Sequence, residues 1–169
     1  MAAEVLGSGF KFVVNSLLGA ELLFPDLRMQ VALMKDDEWY DWGEYVETTR
    51  QLAQMLDHDT VVRIGCEIML AAREHLLAQG FSSPEALLTV WEEVMAANVR
   101  DLSDAQAAHT LEASPGRAII EYGNELPPAL IEGYLRGAVL AFDRRVEGYQ
   151  SRLVSSGGVE RLRCTVRWS

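Results

Sequence analysis

The period of the hydrophobic pattern changes once along this chain, close to Arg100. That single change calls for helices first and a sheet second. Before it, apolar residues recur every three or four positions. After it, two pairs of short alternating runs flank one amphipathic helix.

In the first part, Leu6 to Leu18 and Pro25 to Met34 read as short helices. Asp41 with Glu44 three residues later forms a capping box, and Trp42, Tyr45, Val46, Thr49, Leu52, Ala53 and Leu56 follow at helical spacing, so a third helix runs from about Asp41 to Leu56. Asp59 or Thr60 can cap a fourth, from Val61 to Gln79. Its wide apolar stripe through Val61, Ile64, Ile68, Ala72 and Leu76 marks it as largely buried. Gly80 ends it, and Ser82, Ser83 and Pro84 open another with Leu87, Leu88, Trp91, Val94, Met95 and Val99 turned inward.

In the second part, His109 to Ala113 and Arg117 to Tyr122 flank the turn residues Ser114, Pro115 and Gly116. Pro127 and Pro128 start a helix on which Leu130/Ile131, Tyr134/Leu135, Ala138/Val139 and Phe142 recur every four residues. Val146 to Val154 and Val159 to Trp168 make a second hairpin around Ser155-Ser156-Gly157-Gly158. In its last strand Leu162, Cys164, Val166 and Trp168 point one way and Arg161, Arg163, Thr165 and Arg167 the other. The expected fold is α+β: a helical part of about five helices over 1–100, then ββαββ over 101–169 as a four-stranded antiparallel sheet with helices mainly on one face. Nothing resembles an interdomain linker, so 1–169 reads as a single domain.

At 169 residues and 49% hydrophobic, the chain can bury a core without disulfide or metal. Its formal charge of −10 repels phosphate backbones, which argues against nucleic acid as a partner. The acids are concentrated: Asp36, Asp37, Glu38, Asp41, Glu44 and Glu47 occur without an intervening base. No run of 18 apolar residues suggests a membrane span, and Met1 to Leu18 is interrupted by Gly7, Ser8, Gly9 and Lys11, so a cytosolic protein is expected. Cys66 and Cys164 lack ligand spacing and read as buried thiols.

Catalytic signatures are missing. There is no GxSxG, HExxH or GxxxxGK[ST], and Gly7-Ser8-Gly9 fails the dinucleotide fingerprint and reads as a flexible turn. Asp57-His58-Asp59 reads as a polar interhelical loop, and His75 and His109 lack an acid, serine or cysteine partner at fixed spacing. Three constellations allow a functional reading beside a structural one. Trp39, Tyr40, Trp42 and Tyr45 could wall an apolar pocket or fill a core. Gly133 and Gly137, with Ala141, could admit a ligand tail or let the helix sit close on its own sheet. Arg161, Arg163 and Arg167 could bind an anion or pair across strands with Glu112 and Glu121.

The succession Glu38-Trp39-Tyr40 with Tyr45, Arg63-Ile64-Gly65, Ser83-Pro84-Glu85 with Trp91, Pro115-Gly116-Arg117-Ala118, Glu132-Gly133-Tyr134-Leu135-Arg136-Gly137 and Val166-Arg167-Trp168 spans most of the chain. It resembles an uncharacterised family expanded in myxobacteria. That family is in turn remotely similar to the superfamily of haem nitric-oxide-binding domains, four-vinyl-reductase-type ligand-binding domains and TRAPP small subunits. The resemblance implies an N-terminal helical part on a four-stranded antiparallel sheet, with a hydrophobic ligand held between them in several members. Haem members carry a proximal histidine and a Tyr-x-Ser-x-Arg signature whose serine and arginine hold the propionates. Here the comparable stretch, Tyr122-Gly123-Asn124-Glu125-Leu126, keeps only the tyrosine. The cysteines of four-vinyl-reductase-type members are reduced to Cys164. No cofactor and no metal are therefore expected.

The leading expectation is a non-enzymatic cytosolic sensor or adaptor, working as a homodimer and reporting to a protein partner. It would bind a small apolar ligand between helices and sheet, walled by Trp39, Trp42, Tyr45, Trp91, Gly133, Tyr134 and Gly137. The competing expectation is an interaction scaffold with a filled core, as in TRAPP-like proteins.

Overall fold

A computed structural model describes residues 2–19 and 24–169. The helical part contains α1 (Gly7–Leu18), α2 (Pro25–Leu33), α3 (Trp42–Gln54), α4 (His58–Ala71), α5 (Arg73–Ala78), α6 (Pro84–Thr89) and α7 (Trp91–Ala96). Three very short strands, β1 (Glu4–Leu6), β2 (Trp39–Asp41) and β3 (Val99–Arg100), form an antiparallel sheet in the order β2-β1-β3. Then come β4 (His109–Ser114), β5 (Arg117–Gly123), α8 (Pro128–Leu140), β6 (Val146–Ser156) and β7 (Val159–Trp168), whose four strands pair antiparallel in the order β4-β5-β7-β6. The architecture is α+β, with the ββαββ succession that the change of period implies.

The alternation along β7 is the alternation of the sheet's two faces. Leu162, Cys164, Val166 and Trp168 are buried and stand beside Tyr122, Ile120 and Ala118 of β5 on the face that α8 covers. On the other face Arg163 meets Glu121 directly opposite, with 2.6 Å between them. Arg161 makes no cross-strand pair with Glu112 or Glu121: it is buried and donates to the carbonyls of Asp104 and Ala107. Arg167 is exposed and opposite Arg117, while Glu112 pairs with Arg117 at 3.5 Å.

Several boundaries differ from the sequence reading. The fourth helix is capped by Asp57, whose carboxylate accepts from the Thr60 amide at 2.9 Å, so His58 and Asp59 lie in its first turn rather than in a loop. It breaks at Ala72, whose N–H turns to Met69 three residues back. The next helix breaks likewise at Val90, which bonds to Leu87, and Val99 belongs to β3 rather than to a helix. Gly7 and Gly9 form the first turn of α1, not a flexible loop. The amides of Gly7 and Ser8 donate to the carbonyls of Glu38 and Asp36, and a Cβ on Gly7 would lie 1.9 Å from the Lys35 oxygen.

The glycines of α8 also have a different neighbour from the one expected. α8 lies between the large sheet and α4, and Gly133 and Gly137 face α4. A Cβ on Gly137 would stand 2.7 Å from Cβ of Met69 and 2.9 Å from the backbone of Cys66. The small residues thus permit close helix–helix packing. Buried apolar side chains from Val5 to Trp168 form one cluster around this α4–α8–sheet stack.

Candidate functional site

The helical part does not close completely onto the sheet. A cavity of about 520 Å³ remains between α1, α3, α5, α7 and the end of β5. Small-ligand pockets typically measure ~300–1,000 Å³ and are lined largely by apolar and aromatic groups. Here Val13, Ile68, Leu76, Phe81, Val94 and Leu126 supply aliphatic and aromatic surface. Exposed Phe12, His75, Gln79 and Glu93 also line it, so the space reaches the molecular surface.

One wall is aromatic and internally hydrogen-bonded. The Asp41 carboxylate caps α3 by accepting from the Glu44 amide at 2.9 Å, so the helix starts at Trp42, and the helical repeat then carries Tyr45 to the same buried side. Their rings lie 5.2 Å apart, and Tyr45 packs edge-on against Phe10 at the same separation. Tyr45 and Tyr134 share a hydrogen bond between their hydroxyls, and burial pushes the Tyr45 phenol up to about 12. Tyr134 and Tyr122 are also raised, chiefly by burial. All three therefore remain neutral hydroxyls across the ordinary pH range. Tyr122 accepts from the indole N–H of Trp91.

Two polar groups of the lining meet just beyond the end of β5: Glu125, which follows that strand, and Gln106, which precedes β4. Glu125 Oε2 accepts from the Trp42 indole at 2.6 Å, and the Gln106 amide donates to both Glu125 oxygens at 3.3 and 3.4 Å. A smaller recess of about 230 Å³ shares Trp42, Gln106 and Glu125 with the main cavity. The lining imidazole, His75, is on the exposed rim and bonds to Gln79 at 3.0 Å.

Of the seven residues expected to wall a pocket, Trp42, Tyr45 and Tyr134 line this cavity together. The others are placed elsewhere. Trp39 lies in β2 with the Arg100 guanidinium 4.3 Å above its ring. Trp91 is fully buried behind Tyr122, and Gly133 and Gly137 are occupied by α4. Glu125 and Gln106 were not legible as site residues, because each sits in an irregular segment where no periodicity assigns a face. His109, partnerless in the sequence, contacts Glu92 at 3.3 Å and Asp104 at 3.2 Å, away from the cavity.

No family model and no curated protein matches the sequence. Solved structures do match its fold. A Cs H-NOX mutant that carries an unnatural amino acid superposes with a TM-score of 0.68 at 10% identity, over 97% of this chain and 96% of that one. An oxygen-binding H-NOX domain related to soluble guanylate cyclases, solved as its oxygen complex, gives 0.66 at 12% identity over 95% and 92%. A mutant of the H-NOX domain of T. tengcongensis gives 0.66 at 11% identity over 96% and 95%. The likeness covers helical part and sheet alike, and at these identities it is a likeness of fold.

Proposed function

We propose that this H-NOX-fold chain is a non-enzymatic sensor or adaptor domain of the cytosol, in which occupancy of the cavity by a small apolar molecule is reported through a partner surface. The observation that carries this reading is the 520 Å³ space itself, bounded by Trp42, Tyr45, Tyr122 and Tyr134. A scaffold whose core is filled would leave no such space between helices and sheet. The fold supports the same conclusion, since one of the solved relatives is an oxygen-binding domain in complex with its ligand.

Haem is a poor fit. In the haem signature a serine and an arginine hold the propionates. At the comparable positions here Asn124 donates away to Glu160 at 2.8 Å, and Leu126 presents hydrocarbon to the cavity. The lining includes the carboxylates of Glu93 and Glu125 and no arginine or lysine among the described residues, so two propionates would meet acids instead of cations. The ligand is accordingly sought among other apolar molecules.

Reporting requires a surface. Met29 and Leu33 of α2 are 64% and 77% exposed, and a two-fold contact through them would make the homodimer that carries the signal. The reading is tested by native mass spectrometry of protein purified from its own host. A mass increment that is lost on gentle activation supports a sensor, whereas a clean mass of the bare chain favours the scaffold.

A further inference from the structure

Resting on the cavity as the ligand site, we propose that its ligand is a cationic amphiphile, an apolar body ending in a protonated amine that the Glu125 carboxylate receives. The charge balance of the lining points this way. Glu93 and Glu125 are its acids, and no arginine or lysine lines it among the described residues. The adjoining recess adds Asp41 and again no cation.

Glu125 is held in place without being neutralised. Its two partners, the Trp42 indole at 2.6 Å and the Gln106 amide at 3.3 Å, are both uncharged donors. A carboxylate offers about four lone-pair sites, so these bonds orient the group and leave it able to accept from a cation. The neighbouring arginines are engaged elsewhere: Arg50 donates to the Asn124 carbonyl at 3.0 Å, and buried Arg161, opposite Gly123, donates to the carbonyls of Asp104 and Ala107.

The surroundings of Glu125 fix the rest of the ligand's chemistry. Leu126, Val13, Ile68 and Leu76 offer only hydrocarbon, which suits an alkyl or aryl body. A charge-assisted bond in this partly enclosed setting is stronger than a neutral one. The chain's net charge of −10 attracts cations and disfavours fatty acids or phosphorylated lipids of the same bulk.

The experiment is displacement of a bound apolar dye by decylamine, decanol and decanoate at neutral pH, where an alkylamine keeps its proton because its pKa is about 10. The amine should bind about tenfold more tightly than the alcohol, and decanoate more weakly than either. Glu125→Gln preserves an acceptor for Trp42 and should erase the amine's advantage while leaving decanol unchanged. Glu93→Gln, on the exposed rim, provides a second variant and should reduce that advantage only in part. Equal binding of amine and alcohol to the wild type, or an advantage that survives Glu125→Gln, overturns the proposal and leaves the apolar cavity standing. Failure of all three compounds and of the dye to bind overturns both.

Discussion

Gly65 of α4 and Gly133 of α8 meet backbone to backbone: a Cβ built on Gly65 would lie 2.8 Å from Cα of Gly133, and one built on Gly133 would lie 2.7 Å from Cα of Gly65. Neither glycine has a positive φ. Their role is spacing, because any side chain at either position would have to displace a helix.

Gly133→Ala should therefore cost ~1–3 kcal/mol or more through overpacking. Gly65→Ala should cost a similar amount, and the double variant less than the sum, since the first substitution already separates the helices. Urea denaturation of the four proteins checks this. Gly137→Leu should also destabilise, through Met69 and Cys66, without filling the cavity.

The two thiols should differ in reactivity. Cys164 is fully buried on the sheet, where burial pushes its thiol up to about 11, and Tyr149 donates to its sulfur at 3.2 Å. Cys66 is half-buried on α4 and raised less. A thiol reagent should modify Cys66 alone in the native protein and both cysteines after denaturation. Rapid native labelling of Cys164 would mean that the inner face of β7 opens.

The acid limb of stability should include the α4 cap. Hydrogen bonds from Thr60 hold the Asp57 carboxyl below its ordinary range. A group with a depressed folded pKa contributes stability above its unfolded pKa of about 4, and that contribution fades as pH falls through the folded value. Asp57→Ala should melt earlier than the wild type at neutral pH, and the difference should shrink as the solution is acidified. A difference that persists unchanged in acid would remove the cap from the explanation.

The proposed assembly through α2 is open to a direct test. If Met29 and Leu33 mark a two-fold contact, Leu33→Glu should convert a dimer to a monomer in sedimentation at tens of micromolar protein. A wild type that sediments as a monomer would require another surface for reporting.

Sequence pattern revealed the large sheet almost residue for residue, because long alternating runs such as Leu162 to Trp168 leave one register that buries them. It revealed the helices but not their breaks at Ala72 and Val90, where a single amide shifts from one carbonyl to another without any change of residue type. Strands of two and three residues are too short for a period to register, so β1, β2 and β3, and with them the place of Trp39, leave no pattern in the sequence. The aromatic wall of the cavity was half legible. Trp42 and Tyr45 follow from one helix, whereas Glu125 reaches Trp42 from 83 residues away along the chain, a distance no local pattern spans. The glycines of α8 were visible as a stripe, but only the partner helix explains them.

The most direct test is whether the space between helices and sheet takes up an apolar molecule. Ala72 lines it at the α4–α5 break and is partly exposed, so Ala72→Phe adds a ring at its edge with little burden on the packed core. Fluorescence titration of wild type and Ala72→Phe with an environment-sensitive apolar dye, alongside their melting curves, separates a cavity from a filled core. A ligand-binding domain predicts saturable, one-site uptake by the wild type that Ala72→Phe weakens at least about tenfold while melting like the wild type. No saturable uptake by the wild type, or uptake that the added ring leaves untouched, would contradict it.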